Sequence, residues 1–323
     1  MAERMPLAVV TGGAGFIGSH TVDALVAAGQ QVVVLDDFST GRRENLRQWQ
    51  GDDRVEVIEC DVADGLYAPL LEVTRRRGRV DRIVHLAAQV SVVYSVDNPL
   101  DEVRTNYVAT VQVLDYARRL GVRKVVFASS AAVYGDVAEL PVGEEVECHP
   151  LSPYGVDKRA AELFMRYHAL VHRLGAQPLR FFNVYGPRQD PRSAYSGVIS
   201  IFIDRGMAGR DLTVFGDGEQ TRDFVFVGDV VRAVVGAALA DGGEAVPVNI
   251  ATGKSHSVNQ LAAEVLRLCG SSAAIHHAPA RDGEIRRSVA RVTRAEEMLG
   301  FRAETSLSDG LARTIEWVRA SRA

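Results

Sequence analysis

The sequence predicts an α/β protein, with a doubly wound parallel sheet first and a smaller α/β C-terminal domain after it. Three observations carry this. Short β-branched runs alternate with longer helical stretches through the first half of the chain. Those runs are apolar almost throughout, as in strands buried on both faces. The first run leads directly into Thr11-Gly12-Gly13-Ala14-Gly15-Phe16-Ile17-Gly18, a glycine-rich turn ahead of a helix.

Taken in order, residues 7–10 form the first strand, and residues 21–28 lie in a helix that Gly29 closes as a C-cap. Residues 31–35, 55–58, 82–86, 122–128 and 178–182 are the further strands. Arg75-Arg76-Arg77 precedes Gly78, where cations satisfy the terminal carbonyls and the dipole of a helix end. Strand–helix–strand repetition requires right-handed crossovers and so a parallel sheet. Beyond residue 183 turn signals thicken, as in Gly186-Pro187-Arg188-Gln189-Asp190-Pro191 and Gly216-Asp217-Gly218, and helices are expected over 258–268 and 307–319. The expected division is residues 1–182 and 183–323, with interleaved segments and no low-complexity linker.

Composition excludes several classes. The chain has 323 residues, 47% hydrophobic and 24% charged, with a net charge of −4, so general nucleic-acid or anionic-membrane binding is disfavoured. Cys60, Cys148 and Cys269 are too few and too widely spaced for a disulfide scaffold or a zinc module. The opening apolar run is strand-length, and nothing approaches the roughly 18 apolar residues of a membrane span. The expectation is a reduced, cytoplasmic protein. His168 and His172 lie four apart, but Ala169 stands where a metal hydrolase needs its glutamate, and His276-His277 has no partners at ligand spacing, so no metal is expected.

Gly12, Gly15 and Gly18 allow a tight turn, close approach to a pyrophosphate, and close helix packing. Phe16, Ile17 and Gly18 open a helix whose N–H groups and dipole favour phosphate. Asp36 ends the second strand at the interval where a carboxylate receives the ribose hydroxyls and repels a 2′-phosphate, pointing to NAD. This is the Rossmann-type arrangement. Arg42 and Arg43 argue weakly for NADP but suit a solvated loop after Gly41. Asp61-Val62 and Leu86-Ala87-Ala88 end the third and fourth strands, where Asp61 can meet the adenine amino group and small residues let the cofactor lie close. Asn106 is expected to begin an amphipathic helix and support the catalytic end of the sheet.

Tyr154 and Lys158 are four residues apart and share a helix face. A phenol is a poor base, with an ordinary pKa of about 10. A neighbouring ammonium and the positive nicotinamide ring are expected to lower it. Ser130, after the fifth strand, reaches the same site.

These segments together resemble an extended short-chain dehydrogenase/reductase of the UDP-glucose 4-epimerase type. The resemblance spans nearly the whole chain and rests on TGGAGFIGS, DDFSTGRRENL, HLAAQVSV, SSAAVYGD, SPYGVDKRAAE, RFFNVYGPRQDP and FGDGEQTRDFVFV. It implies that Asp37, Thr40 and Gly41 join the NAD site. It also implies that Tyr154 takes the proton of the sugar 4-hydroxyl while the C4 hydride passes to NAD. Ser130 then bonds the reacting oxygen, and Lys158 holds the nicotinamide ribose. The 4-keto sugar turns and receives the hydride on its other face. For the nucleotide half the resemblance implies Asn183 at the diphosphate, the backbone of Val198 and Ile199 along the uracil, and Phe215 flanking it. Arg222 and Arg281 clamp the diphosphate, and Glu284 holds the uridine ribose. Ser288 stands where glucose-restricted members carry a bulky side chain, which implies room for a 2-acetamido group.

Three alternatives compete with the epimerase. A dehydratase needs an acid pair after its catalytic hydroxyl, but Ala131-Ala132 follows Ser130. A UDP-glucuronate 4-epimerase often has Thr at the position of Asn183 and Arg at that of Asp190. A non-catalytic NAD-sensing protein usually lacks the Tyr or the Lys. Finally, the resemblance implies a homodimer through a four-helix bundle built from Val103, Tyr107, Val111, Leu163 and Phe164.

Overall fold

The structure, a computed structural model, describes residues 5–190, 197–280 and 285–322. Its elements in chain order begin β1 (Leu7–Thr11), α1 (Phe16–Ala27), β2 (Gln31–Asp36), β3 (Val55–Glu59), α2 (Tyr67–Arg77), β4 (Val80–His85), α3 (Val92–Asp97) and α4 (Pro99–Glu102). A π-helical segment, Val103–Val108, leads into α5 (Ala109–Leu120), followed by β5 (Lys124–Ser130), α6 (Pro153–His172), β6 (Gly175–Phe181) and β7 (Asn183–Tyr185). Then come α7 (Val198–Met207), β8 (Leu212–Phe215), β9 (Thr221–Arg222), β10 (Phe224–Phe226), α8 (Val227–Leu239), β11 (Val248–Ile250) and β12 (His256–Ser257). The chain closes with α9 (Val258–Cys269), β13 (Ile275–Ala278), α10 (Thr293–Leu299) and α11 (Leu307–Arg322).

Seven strands form one sheet in the order β11-β6-β5-β4-β1-β2-β3, the doubly wound order with its reversal between β1 and β4. The β1, β2, β3, β4 and β5 pairings are parallel, with Val9 opposite Val33 and Ile83 opposite Val125. Every residue of β1 is buried, which is why this strand reads as continuously apolar. On edge strand β3 the half-buried Glu56 receives Arg76 and Arg77 from the last turn of α2. The arginine triplet thus ends a helix, as its position before Gly78 predicts, and all three find a carboxylate partner, Arg75 in Glu72 and the other two in Glu56.

Some boundaries differ from the sequence reading. The fourth strand begins at Val80 and stops at His85, leaving Leu86 in the following loop. The sixth begins at Gly175, three residues before Pro178, and ends at Phe181. Asn106 does not begin a helix: it sits inside the π-helical segment between α4 and α5.

The chain divides into two compact units, each assembled from three segments: Met1–Gly135, Glu147–Arg180 and Val231–Val248 in one, and Asp136–Val146, Phe181–Val230 and Asn249–Ala323 in the other. The second unit holds three two-stranded sheets, β10-β7, β12-β9 and β13-β8. Among the described residues, no helix is long and apolar enough to cross a membrane.

Candidate active site

The glycines after β1 do different work. Gly12 adopts φ +67°, and a Cβ there would lie 2.7 Å from the Ala87 nitrogen. A Cβ on Gly18 would lie 2.0 Å from the Gly12 oxygen. Both positions therefore exclude side chains for reasons internal to the fold. Gly15 is different: an added Cβ meets only the Gly12 oxygen, at 3.2 Å. Packing alone does not demand a glycine there, whereas a pyrophosphate lying against the loop does. Gly15 is also the N-cap of α1 and makes no side-chain cap, which leaves the helix N-terminus to a ligand anion. These residues fit a dinucleotide. Phe16 and Ile17, in the first turn, are half-buried.

Asp36 is buried at the end of β2, and burial raises its pKa against the bonds it accepts from Ala14 and Phe38. Oδ2 accepts from the Ala14 N–H at 2.8 Å and Oδ1 from the Phe38 N–H at 2.9 Å. The carboxylate thus ties the glycine loop to β2, and each oxygen keeps a lone pair for a hydroxyl donor. Gly41 passes so close that a Cβ would lie 2.5 Å from Asp36 Oδ1. Asp37 is exposed and turned to its own loop, accepting from the backbone and hydroxyl of Ser39; Thr40 is exposed beside it. Arg43 reaches Glu59 and covers the Phe38 ring at 4.0 Å. Asp61 accepts from Ala63 N–H and from Arg104, both at 2.8 Å, so its carboxylate is largely engaged within the protein; Val62 is buried.

The loop after β4 is held from two sides. Thr11 Oγ1 accepts from the N–H groups of Leu86 and Ala87, both at 3.2 Å. Asn106 clamps Gln89 by both backbone groups, taking its N–H at 2.8 Å and donating to its carbonyl at 2.9 Å. Leu86, Ala87 and Ala88 between these ties are half-buried. Asn106 also donates to Glu102, whose other oxygen accepts from Gln89 Nε2 at 2.9 Å. Beneath lies His85, bonded to Thr11 Oγ1 at 2.7 Å and Thr110 Oγ1 at 3.1 Å. Thr110 donates to the Asn106 carbonyl, so it accepts from His85 Nε2–H, and Nδ1 is the acceptor. Burial pushes the His85 pKa down to about 3 and keeps the ring neutral.

Tyr154, Lys158 and Ser130 come together where α6 starts beside the end of β5. Ser152 caps α6 by accepting from the Gly155 N–H at 3.2 Å, with Pro153 in the first turn. Gly155 lets the helix approach: a Cβ there would lie 2.6 Å from the Ala132 oxygen. The Ser130 hydroxyl is close enough to Tyr154 to favour its phenolate, and Ser130 Oγ accepts from the Ala132 N–H at 3.1 Å. Lys158 Nζ lies 5.5 Å from the Tyr154 ring centroid and 4.9 Å from that of Phe127. In the protein alone, burial drives the Tyr154 pKa up to about 12, against the Ser130 bond. Desolvation of the phenolate is the largest cause, and the Glu102 carboxylate adds to it. Burial also lowers Lys158 to about 8, against Glu102 and Asp157.

The nucleotide-side residues lie in the second unit. Asn183 is exposed on β7, its N–H bonded to the Asp223 carbonyl at 3.1 Å. Val198 opens α7 half-buried, whereas Ile199 turns into the core. Phe215 ends β8 opposite Ala278 of β13. Arg222 is on β9, and Ser288 lies beside that strand through a 3.1 Å bond from its N–H to the Thr221 carbonyl. Arg281 and Glu284 fall outside the described residues. His85, Gln89, Glu102 and Asp157 are the neighbours of the site that sequence reasoning missed. HLAAQ and YGVDK contain three of them, but no spacing marks a residue that is buried behind a site.

The sequence profile of the NAD dependent epimerase/dehydratase family matches residues 8–251. A UDP-glucose 4-epimerase of Mycolicibacterium smegmatis is 41% identical over 313 residues, covering 96% of this chain and 98% of that protein. UDP-glucuronic acid decarboxylase 1 of Xenopus tropicalis is 35% identical, covering 96% of this chain and 72% of that protein. The crystal structure of a UDP-glucose 4-epimerase from Thermotoga maritima with UDP-glucose superposes with a TM-score of 0.90 at 36% identity, covering 98% of this chain and all of that one. With its glycine loop, its acid at the end of β2 and its Ser–Tyr–Lys cluster, this chain belongs to the NAD dependent epimerase/dehydratase family.

Proposed function

We propose that this protein is an NAD-dependent isomerase that inverts C4 of a UDP-hexose, interconverting UDP-glucose and UDP-galactose. The observation that carries the reading is the gathering of Tyr154 and Lys158 of α6 with Ser130 at the end of β5, adjoining a loop that fits a dinucleotide. NAD, when bound, supplies a reversible acceptor for the C4 hydride. Ser130 orients the 4-hydroxyl, and Tyr154 takes its proton and later returns it. Tyr154, held protonated by burial, would give up its proton more readily when the oxidised cofactor supplies positive charge to the site. The reaction is redox-neutral, because the 4-keto sugar receives back on its opposite face what it gave up. Ala131 and Ala132, after Ser130, provide no acid–base pair for elimination, which disfavours a dehydratase.

The substrate-side residues of this reading are Asn183, Val198, Ile199, Phe215, Arg222, Arg281, Glu284 and Ser288. Ser288, a small residue beside β9, supports acceptance of UDP-N-acetylglucosamine as well. A homodimer is supported by the exposed apolar side chains of α3, α4 and α6, among them Val93, Leu100, Leu163 and Leu170. Tyr107 and Phe164, assigned to that face from the sequence, pack on each other within the chain, their ring centroids 6.0 Å apart. A cytoplasmic location accords with three cysteines that form no disulfide.

Product NMR after separate incubation with UDP-glucose, UDP-N-acetylglucosamine and UDP-glucuronate, without and then with added NAD, tests the reading. Inversion at C4 of the first two is expected. Turnover of glucuronate alone, by inversion or by loss of its carboxyl group, would overturn the hexose assignment.

A further inference from the structure

Lys158 is shielded from water, with 3% of its surface exposed, and an ammonium in such a place needs a counter-charge. Two carboxylates are available, on helices that pack together. Glu102, at the end of α4, is fully buried. Asp157 precedes Lys158 on α6, is 5% exposed, and its Oδ2 makes no hydrogen bond. α4 and the π-helical segment both pack on α6, and Glu102 and Asp157 both act on Lys158 electrostatically. The other ionisable groups around them do not compete. His85 on β4 is held neutral, Tyr154 is a protonated phenol, Asp101 acts on Glu102 in the same sense as Asp157, and Arg104 is paired with Asp61 and Asp64.

The geometry points to Glu102 and Asp157 as positioning residues that keep Lys158 an ammonium, Glu102 doing so while it also clamps the loop after β4 through Gln89 and Asn106. Neither carboxylate touches the reacting atoms; both act through Lys158. The two share one cost. Burial raises each carboxyl pKa, Glu102 to about 7 and Asp157 to about 6, and Lys158 pulls both down. Near neutral pH an ionised Glu102 or Asp157 therefore raises the share of Lys158 that carries its proton. The functional importance of that charge rests on the epimerase reading above, but its existence does not.

The chain contains only three lysines, Lys124, Lys158 and Lys254, so labelling lysine with carbon-13 at Cε gives three signals. The Lys158 signal is assigned by its loss in Lys158→Arg, and buried Lys124 serves as an internal control. The full-length protein is titrated with no substrate present. In Glu102→Gln and in Asp157→Asn the Lys158 midpoint is expected to fall by about half a pH unit or more, with Lys124 unmoved. The alkaline limb of kcat against pH should move down with it. An unchanged Lys158 midpoint overturns the proposal, including where kcat drops uniformly, since that marks a purely structural role. Should Glu102→Gln fail to fold, Asp157→Ser leaves the Glu102 bonds intact and decides the same question. Absence of epimerase activity would leave the titration result standing.

Discussion

At the scale of single residues, the site is set by what burial does to each polar group. His85 is the clearest case. Its folded pKa of about 3 lies below the ordinary 6.5, so the unfolded chain binds the proton first. Its contribution to stability is complete above pH 6.5 and is lost as pH falls toward 3. At pH 5 the loss is about 2 kcal/mol. Urea melts of the wild type and of His85→Gln across this range should show the wild type losing stability more steeply on acidification; parallel slopes would refute the assignment. Ser288 makes its prediction by size. Ser288→Tyr fills the space beside β9 and should abolish turnover of UDP-N-acetylglucosamine while sparing UDP-glucose. Equal loss of both would show that the side chain does not select the sugar.

At the scale of elements, the constellation depends on how α6 is fastened to the sheet. Glu162 of α6 and Arg180 of β6 are each 1% exposed and paired at 2.8 and 2.7 Å. Glu162 also accepts from Ser129, the neighbour of Ser130, at 2.6 Å and from Arg159 at 2.9 Å. Arg180 lies over the Tyr134 ring at 4.7 Å. One buried carboxylate thus joins α6, β5 and β6 just behind the reacting groups. Removing it leaves a buried guanidinium without its counter-charge, so Glu162→Gln should cost about 3–5 kcal/mol. The double variant Glu162→Leu/Arg180→Met should recover most of this in chemical denaturation, and a double variant as unstable as the single one would contradict the pairing argument. The π-helical segment is the second such device, since it sets Asn106 where its amide meets both backbone groups of Gln89.

At the scale of the molecule, the exposed apolar side chains of α3, α4 and α6 have no reason to face water in an isolated chain. Leu100 is 87% exposed, Val93 73% and Leu170 65%. On the proposed homodimer, the wild type is expected to sediment as a dimer, and charged substitution on this face, Leu163→Glu with Leu170→Glu, should yield a monomer in sedimentation velocity. A wild type that sediments as a monomer at micromolar concentration would remove the dimer reading altogether.

The sequence by itself determined the sheet, the glycine loop and the Ser–Tyr–Lys cluster, because each has a local signature. Strands buried on both faces are continuously apolar, positive φ and close approach demand glycine at Gly12 and Gly18, and helical spacing puts Tyr154 and Lys158 on one face. Its strand boundaries erred at β4, β5 and β6, where hydrogen bonding to neighbouring strands outweighs local composition. Only the tertiary structure decided the state of the site. Whether Asp157 is a solvated helix acid or a buried counter-charge, and whether His85 titrates at neutral pH, depends on what packs over them from helices and strands distant in sequence. Desolvation is a property of the enclosing volume, and no run of neighbouring residues encodes it.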